Sequence, residues 1–314
     1  MINIESLILK LVHYGFDNSA INLIRNYFQG RSQMTKLGTS CSGSLPLTVG
    51  LPQGSILGPL FFLIFINDLT FLLHILAILY ADDTTAYSFS NDSLEYVTRD
   101  FHDKLSDLLV WCKYNQMTIN WSKTKIMFLT KKHVVFPDHI IIDGSEVEVV
   151  HSFKLLGCFI DDKLSFTDHI QHIKSSVHIK LNCLCRLTFL SNEVKLQFFK
   201  SFVLPHFDYC LSLSIYYSKS QIDQLEKLYN YCLFKLCHIK LNQEYLSTRV
   251  DKNGKRITKL GFTPLNLDSQ LAILGKLNLM PFKMRIFYRL SLFSYKILNK
   301  QFLVNSCICS SRDK

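Results

Sequence analysis

The sequence predicts an α+β fold: an antiparallel sheet with packed helices, followed by a region that is helical. Three observations carry this. Two strand-like runs, the continuously apolar residues 75–81 and the alternating residues 84–90, flank an acidic pair, Asp82-Asp83, as the arms of a hairpin flank its tip. Leu94, Val97, Phe101, Leu105, Leu108 and Cys112 recur at spacings of three and four, which marks residues 93–114 as an amphipathic helix with a core-facing stripe. Short β-rich runs punctuated by Pro137-Asp138 and Asp143-Gly144 fill residues 117–160, and helical periodicity then dominates residues 166–238.

Taken in chain order, residues 5–14 form a first helix with Leu7, Ile8, Leu11 and Val12 as its apolar face and Gly15 as its stop. Residues 17–29 read as a second helix, and residues 33–39 and 45–49 as strands leading into a Gly/Pro loop. In that loop Gly50 and Gly54 let the backbone approach a ligand closely, Ser55 is placed to cap a helix, and Pro59 fits only in a helix's first turn. The Gln53 amide can donate and accept at once. Such a loop suits contact with a nucleotide or a nucleic-acid backbone, and a plain tight turn needs the same glycines. Residues 252–255, Lys-Asn-Gly-Lys, are the best linker candidate, and the chain has no repeats or low-complexity tract.

Composition narrows the class. With 314 residues, 48% of them hydrophobic, the chain has room for two or three subdomains each with a core. Ten cysteines are scattered without a C-x-x-C pair, and neither Cys183-x-Cys185 nor Cys307-x-Cys309 has zinc-site spacing, so the expectation is reduced thiols in an intracellular protein, cytoplasmic or nuclear. Residues 56–81 are strongly apolar, but Gly58-Pro59, Asn67-Asp68 and His74 interrupt them, and neither half reaches the roughly twenty residues of a membrane span. No membrane partner is expected. The net charge of +10 resides in residues 252–314, which hold twelve Lys and Arg against two acids. There the cations alternate with Leu, Ile, Phe and Tyr, a pattern of basic amphipathic helices able to track a phosphate backbone with aromatics as stacking partners; solvated helix faces over a small core give the same pattern.

The acidic pair is the sharpest chemical signal. A tight turn keeps adjacent carboxylates near one spot although strand neighbours alternate faces. Mg²⁺ favours one or two such carboxylates plus substrate phosphates. An ordinary Asp-rich hairpin turn has the same spacing.

Residues 50–69, with Gly50-Leu51-Pro52-Gln53-Gly54-Ser55 at their head, followed by Tyr80-Ala81-Asp82-Asp83-Thr84, closely resemble the reverse transcriptases of non-LTR (LINE-type) retrotransposons in two specific motifs at the expected separation. Downstream, Trp111-Cys112 with Asn115, Met117, Ile119-Asn120, Lys123-Thr124 and Phe128 resembles the family's next palm motif. Phe153-Lys154-Leu155-Leu156-Gly157 resembles its primer-grip hairpin, and Leu204-Pro205-His206-Phe207-Asp208-Tyr209-Cys210 a helical segment after the palm. The resemblance covers most of the chain and weakens after Asp251.

It implies a partial reverse-transcriptase palm over residues 1–160, a helical thumb-like region over 161–250 and a basic helical region over 251–314. It also implies RNA-templated DNA synthesis with two Mg²⁺ ions clamping the primer 3′ oxygen and the triphosphate. RNA template, DNA primer and dNTP are then the partners, with a full-length element protein as a candidate associate. Carried over, Asp82 is a metal ligand and Asp83 its partner. Pro52, Gln53, Gly54, Ser55, Tyr80 and Ala81 lie against the templating pair and incoming nucleotide. Lys123 assists the departing pyrophosphate, with Lys125 close by in sequence, and Leu156-Gly157 hold the primer end.

One departure accompanies the match. The family's third metal-binding carboxylate sits in an earlier motif ending in Phe-Asp, and counting back from Gly15 puts Met1 just after it, with Asn3 resembling a residue that often follows. The expectation is therefore a chain truncated before that carboxylate and the fingers. Glu5, the nearest acid, lies on the following helix, and catalytic geometry tolerates only about half an ångström. Losing one member of a set that acts together costs more than its share, so the expectation is little or no polymerase activity from the chain as written. The alternative class is a catalytically dead nucleic-acid-binding remnant. A domesticated intron-type reverse transcriptase fits less well, because the Gln53-Gly54-Ser55 context and the post-palm helices look LINE-like.

Overall fold

The computed structural model describes residues 2–73, 75–89, 94–130, 134–250 and 256–299, with the side chains of residues 242–250 and 256–264 excepted. The chain divides into two units, Met1–Thr124 with His139–Val147, and Lys125–Asp138 with Glu148–Lys314.

In the first unit, helix α1 (Ile4–His13) starts where Asn3 accepts from the Ser6 amide, and α2 (Asn18–Phe28) where Asp17 accepts from the Ala20 amide. Leu7, Ile8 and Leu11 of α1 are buried as the pattern predicts, whereas Val12 faces solvent at the edge of the stripe. The expected strands over residues 33–39 and 45–49 are reduced to two-residue bridges: β1 (Ser32–Gln33) with β4 (Leu45–Pro46), and β2 (Lys36–Leu37) with β3 (Ser40–Cys41). All eight positions are exposed, so no core face sustains a longer ladder.

Helix α3 (Leu57–Ile66) is apolar on every side; Phe61, Phe65 and Ile66 enter the core while Leu57, Leu60 and Leu63 remain exposed. A single turn, α4 (Leu69–Leu72), leads to the hairpin β5 (Leu76–Tyr80) and β6 (Asp83–Tyr87). The long helix α5 (Leu94–Tyr114) forms where the spacing predicts it; of the predicted stripe Leu105 is buried and the rest half-buried, and Trp111, outside the stripe, is buried as well. The core joins Leu7, Leu11, Ile24, Phe28, Phe61 and Phe65 to Trp111, whose ring meets Phe65 edge-on.

A polar knot fastens α1 to this core. Lys10 Nζ donates to the Phe65 carbonyl at 2.7 Å and to Asp68 at 2.9 Å, and lies 4.2 Å from the Phe65 ring centre. Trp111 Nε1 donates to the same Asp68 oxygen at 3.0 Å. Burial pushes the Lys10 ammonium down, against the pull of Asp68. Asp68→Ala removes the acceptor of two donors and is expected to cost about 2 kcal/mol, less than a fully buried pair because Asp68 is partly exposed. Urea unfolding followed by tryptophan fluorescence checks this, since both tryptophans, Trp111 and Trp121, lie in this unit.

Strand β7 (Lys125–Ile126) belongs to the second unit and pairs in parallel with Glu148 and Val149. Strands β8 (His139–Ile142) and β9 (Ser145–Val149) are joined by Asp143-Gly144 at φ 49° and 72°, the two-residue turn that an Asp-Gly pair favours. The hairpin β10 (Ser152–Leu155) and β11 (Cys158–Asp161) follows in the second unit.

The helical region is α6 (Thr167–Cys185), α7 (Asn192–Phe198), a π turn (Phe199–Val203), α8 (Leu204–Asp208), a 3₁₀ stretch (Leu211–Tyr216) and α9 (Lys219–Cys237). Its core packs Val177 and Leu181 of α6 with Leu225, Tyr229 and Leu233 of α9, and Tyr229 contacts the rings of Phe199, Phe207 and Phe282. The C-terminal segment is not helical throughout: β12 (Asn242–Val250) and β13 (Arg256–Pro264) pair in register before α10 (Leu267–Gly275) and α11 (Phe282–Leu298). The proposed linker at residues 252–255 and the Cys307-x-Cys309 pair lie outside the described residues.

Candidate functional site

The acidic pair sits at the tip of β5–β6, as the flanking runs imply. Tyr80 pairs with Asp83, leaving Ala81-Asp82 as a two-residue turn. Ala81 has φ 52°, in the left-handed region that an L-alanine adopts only at a cost of about 1 kcal/mol. That strain, at the residue preceding the first aspartate, was not legible in the sequence. Both aspartates are exposed. Leu76, Ile78 and Tyr80 occupy one face of the hairpin, Ile78 and Tyr80 with 59% and 64% of their surface exposed.

Among the described residues no group of three or more His, Cys, Asp or Glu is placed to hold a metal ion. The hairpin therefore offers a two-carboxylate set of hard oxygens, which suits Mg²⁺ completed by ligand oxygens and does not suit a closed protein cage.

The Gln53 loop is built as its residues suggest. Gly50 and Gly54 have φ 87° and 78°. Ser55 Oγ donates to the Pro52 carbonyl at 2.8 Å and accepts from the Gly58 amide at 3.0 Å, so it caps α3 although the regular helix is counted only from Leu57. Pro59 stands in the first turn as expected. Gly58 was missed as a packing residue: a Cβ there would lie 2.8 Å from Ser55 Oγ and 3.1 Å from the Pro52 carbonyl oxygen. Its signal was a glycine three residues after the cap. Gln53 and Gly54 are exposed and their loop is anchored by the Gly50 amide, which donates to the Ile2 carbonyl at 2.7 Å.

Of the two lysines near position 124, Lys125 is held by Glu148 at 2.6 Å, whereas Lys123 is exposed on a turn fixed by Asn120, whose carbonyl accepts from the Lys123 amide at 3.0 Å. Leu156-Gly157 form the two-residue turn of β10–β11, with φ 47° and 87°, and belong to the second unit, whereas the Gln53 loop, the Asp82-Asp83 hairpin and Lys123 belong to the first.

The basic C-terminal segment differs from its linear reading. On α11, Lys283 pairs with Glu226 at 3.0 Å, and Arg285 and Arg289 both pair with Asp208, at 2.8 and 3.2 Å. Three of the twelve cations counted along this segment are thus paired with acids from α8 and α9. Phe287, Tyr288 and Tyr295 on the same helix are exposed.

Residues 1–160 match the family described as "Reverse transcriptase (RNA-dependent DNA polymerase)". The chain is 23% identical over 253 residues to the RNA-directed DNA polymerase from mobile element jockey of Drosophila melanogaster, covering 76% of this chain and 27% of that protein. It is 25% identical over 252 residues to the jockey polymerase of Drosophila funebris, with the same coverage of 76% and 27%. It is 28% identical over 158 residues to the probable RNA-directed DNA polymerase from transposon BS of Drosophila melanogaster, covering 48% of this chain and 17% of that protein. The chain spans about a quarter of the length of the curated relatives it matches over most of its length.

Proposed function

Because the chain belongs to the reverse transcriptase (RNA-dependent DNA polymerase) family, in its LINE-type, non-LTR branch, we propose that it is palm and thumb-like sequence of an RNA-directed DNA polymerase whose metal-binding carboxylates are Asp82 and Asp83. The observation that supports this reading is the position of the two acids at a strained two-residue hairpin tip inside the matched segment. Divalent ions, which the family generally uses, would there stabilise the charge that builds on the primer oxygen and the triphosphate.

The chain's own residues divide the remaining work. Asp82 and Asp83 supply the ions' oxygen ligands. The Gln53-Gly54 turn, held by Ser55 and Gly50, presents its backbone and amide to the templating base pair and incoming dNTP, with Pro52, Tyr80 and Ala81 beside it. Lys123 offsets charge on the departing pyrophosphate. Leu156-Gly157 hold the primer end. The partition into a palm at 1–160, a thumb-like region at 161–250 and a basic region at 251–314 belongs to the same proposal.

The test is Mg²⁺-dependent primer extension on an RNA template, measured for the open frame that contains these 314 residues with and without Asp82→Asn. The substitution is expected to lower the rate at least about a thousandfold. Extension that is indifferent to Asp82→Asn would sink the assignment.

A binding role without turnover is favoured by one observation, the exposed Phe287, Tyr288 and Tyr295 on α11. With Lys283, Arg285 and Arg289 engaged by acids, few of that helix's cations remain for phosphate. Lys296→Ala is accordingly expected to reduce the logarithmic slope of the salt dependence of RNA binding by about one, and Lys283→Ala by less.

A further inference from the structure

The turn Leu156-Gly157 places two consecutive residues in the left-handed region, one of them a leucine, and such a backbone persists only where its surroundings hold it. The holding group comes from the residue after α8. Tyr209 Oη donates a hydrogen bond to the Leu156 carbonyl, and the Tyr209 ring covers Gly157, where a Cβ would meet Cε1 at 3.4 Å and Cζ at 3.7 Å. The next residues on both sides also meet: Cys210 packs against the cluster that holds Cys158, which is buried at the start of β11 and donates to the Phe159 carbonyl at 3.7 Å. Cys210 itself has φ 54°, the bend that carries Tyr209 and Cys210 to the hairpin. The neighbouring Cys158 thiol, with Tyr209 adding to it, pulls the Cys210 thiol down to about 7 against the effect of burial. Tyr209 is half exposed, as is Leu156, so the tied turn is presented at the surface and not locked inside the core.

We propose that Tyr209 is a positioning residue for the primer end: it fixes the left-handed Leu156-Gly157 turn by binding the Leu156 carbonyl and covering Gly157. This rests on the reading of that turn as the primer contact. A turn free to relax would present its backbone and the Leu156 side chain in several orientations, whereas a pinned one meets the end of a duplex in one.

The experiment uses the full chain and two variants, Tyr209→Phe, which keeps the ring and removes the donor, and Gly157→Ala, which perturbs the turn itself. Two quantities are read. One is the amide hydrogen exchange of residues 156–158. The other is the ratio of affinities for a DNA primer–RNA template duplex with a recessed 3′ end and for a blunt duplex of equal length. Tyr209→Phe is expected to speed exchange about tenfold, the worth of one hydrogen bond, and to reduce the recessed-end preference by a similar factor. The thermal midpoint should stay within about 2 °C, which separates positioning from general destabilisation. If Gly157→Ala abolishes the preference and Tyr209→Phe leaves it intact, the role of Tyr209 is overturned and the reading of the turn stands. If the unmodified chain shows no recessed-end preference, or Gly157→Ala does not alter it, the reading of the turn fails and the proposal with it.

Discussion

Asp208→Ala is expected to destabilise the second unit by about 3–5 kcal/mol, the cost of stripping the partner from a largely buried ion pair. Asp208 accepts from Arg285 through both oxygens, at 2.8 and 2.9 Å, and from Arg289 at 3.2 Å. The side chains of Asp208 and Arg285 are 18% and 13% exposed, so water cannot replace the lost carboxylate. The arginines start from a deficit, since Arg285 Nε and Arg289 Nε are buried with no hydrogen-bond partner among the described residues. Asp208→Asn keeps one acceptor and should cost less. The double variant Asp208→Leu with Arg285→Met should recover most of the loss, because the pair's favourable term is small once desolvation is counted. Urea unfolding followed by circular dichroism measures all four proteins, and a loss below about 1 kcal/mol for Asp208→Ala would show the pair to be solvated in solution. The consequence for function is that the Asp208 pairs reinforce the packing of α11 against α8, which leaves Phe287, Tyr288 and Tyr295 exposed.

Acidification is expected to unfold the same unit. His169 has 2% of its surface exposed, and among the described residues neither ring nitrogen has a hydrogen-bond partner. Burial, reinforced by the nearby His172, pushes its imidazolium down. His206 is lowered too, by burial first and then by Lys180 and His172. The sign follows from which state binds protons. Below about pH 6.5 these histidines are protonated in the unfolded chain and neutral in the fold, so stability is full above that pH and is lost as pH falls. The slope for His169 approaches about 1.4 kcal/mol per pH unit, and His206, partly exposed, adds a smaller share. The urea midpoint measured from pH 8 to pH 5 should therefore fall steeply below 6.5. His169→Leu, which cannot be protonated, should flatten that fall. A midpoint independent of pH over this range would mean that these rings find partners or water.

How far the sequence could be read depended on the range of the interaction. Local geometry was legible: Asp143-Gly144 takes the turn that an Asp-Gly pair favours, Ser55 caps α3, and residues 94–114 form the long helix their spacing implies, with Leu105 of the stripe buried and its other members half-buried. The Asp82-Asp83 hairpin was legible from its flanking runs, and the strain at Ala81 was not, because any residue type can be forced into that region by its context. Contacts between residues far apart in the chain left no local trace. The Asp208–Arg285 pair spans 77 positions and the Tyr209–Leu156 bond 53, so the pairing of Arg285 and Arg289 on a segment that reads as a basic surface helix has no signal in its own residues. The β12–β13 hairpin is hidden for a different reason: along β13 cations alternate with apolar residues as on an amphipathic helix, while β-branched and aromatic residues in the same stretch favour a strand.

The path of the backbone between the two units sets how this protein can be taken apart. The chain passes from one unit to the other after Thr124, after Asp138 and after Val147. A fragment ending at Thr124 would discard the β8–β9 hairpin of its own unit, with the buried Ile142 and Val147. A fragment beginning at Glu148 would leave behind Lys125–Asp138, including the β7 strand that pairs with Glu148 and Val149. No single scissor cut, by a protease or by a cloning boundary, yields either half intact, and shorter pieces for binding studies call for circular permutation or for co-expression of the severed strands.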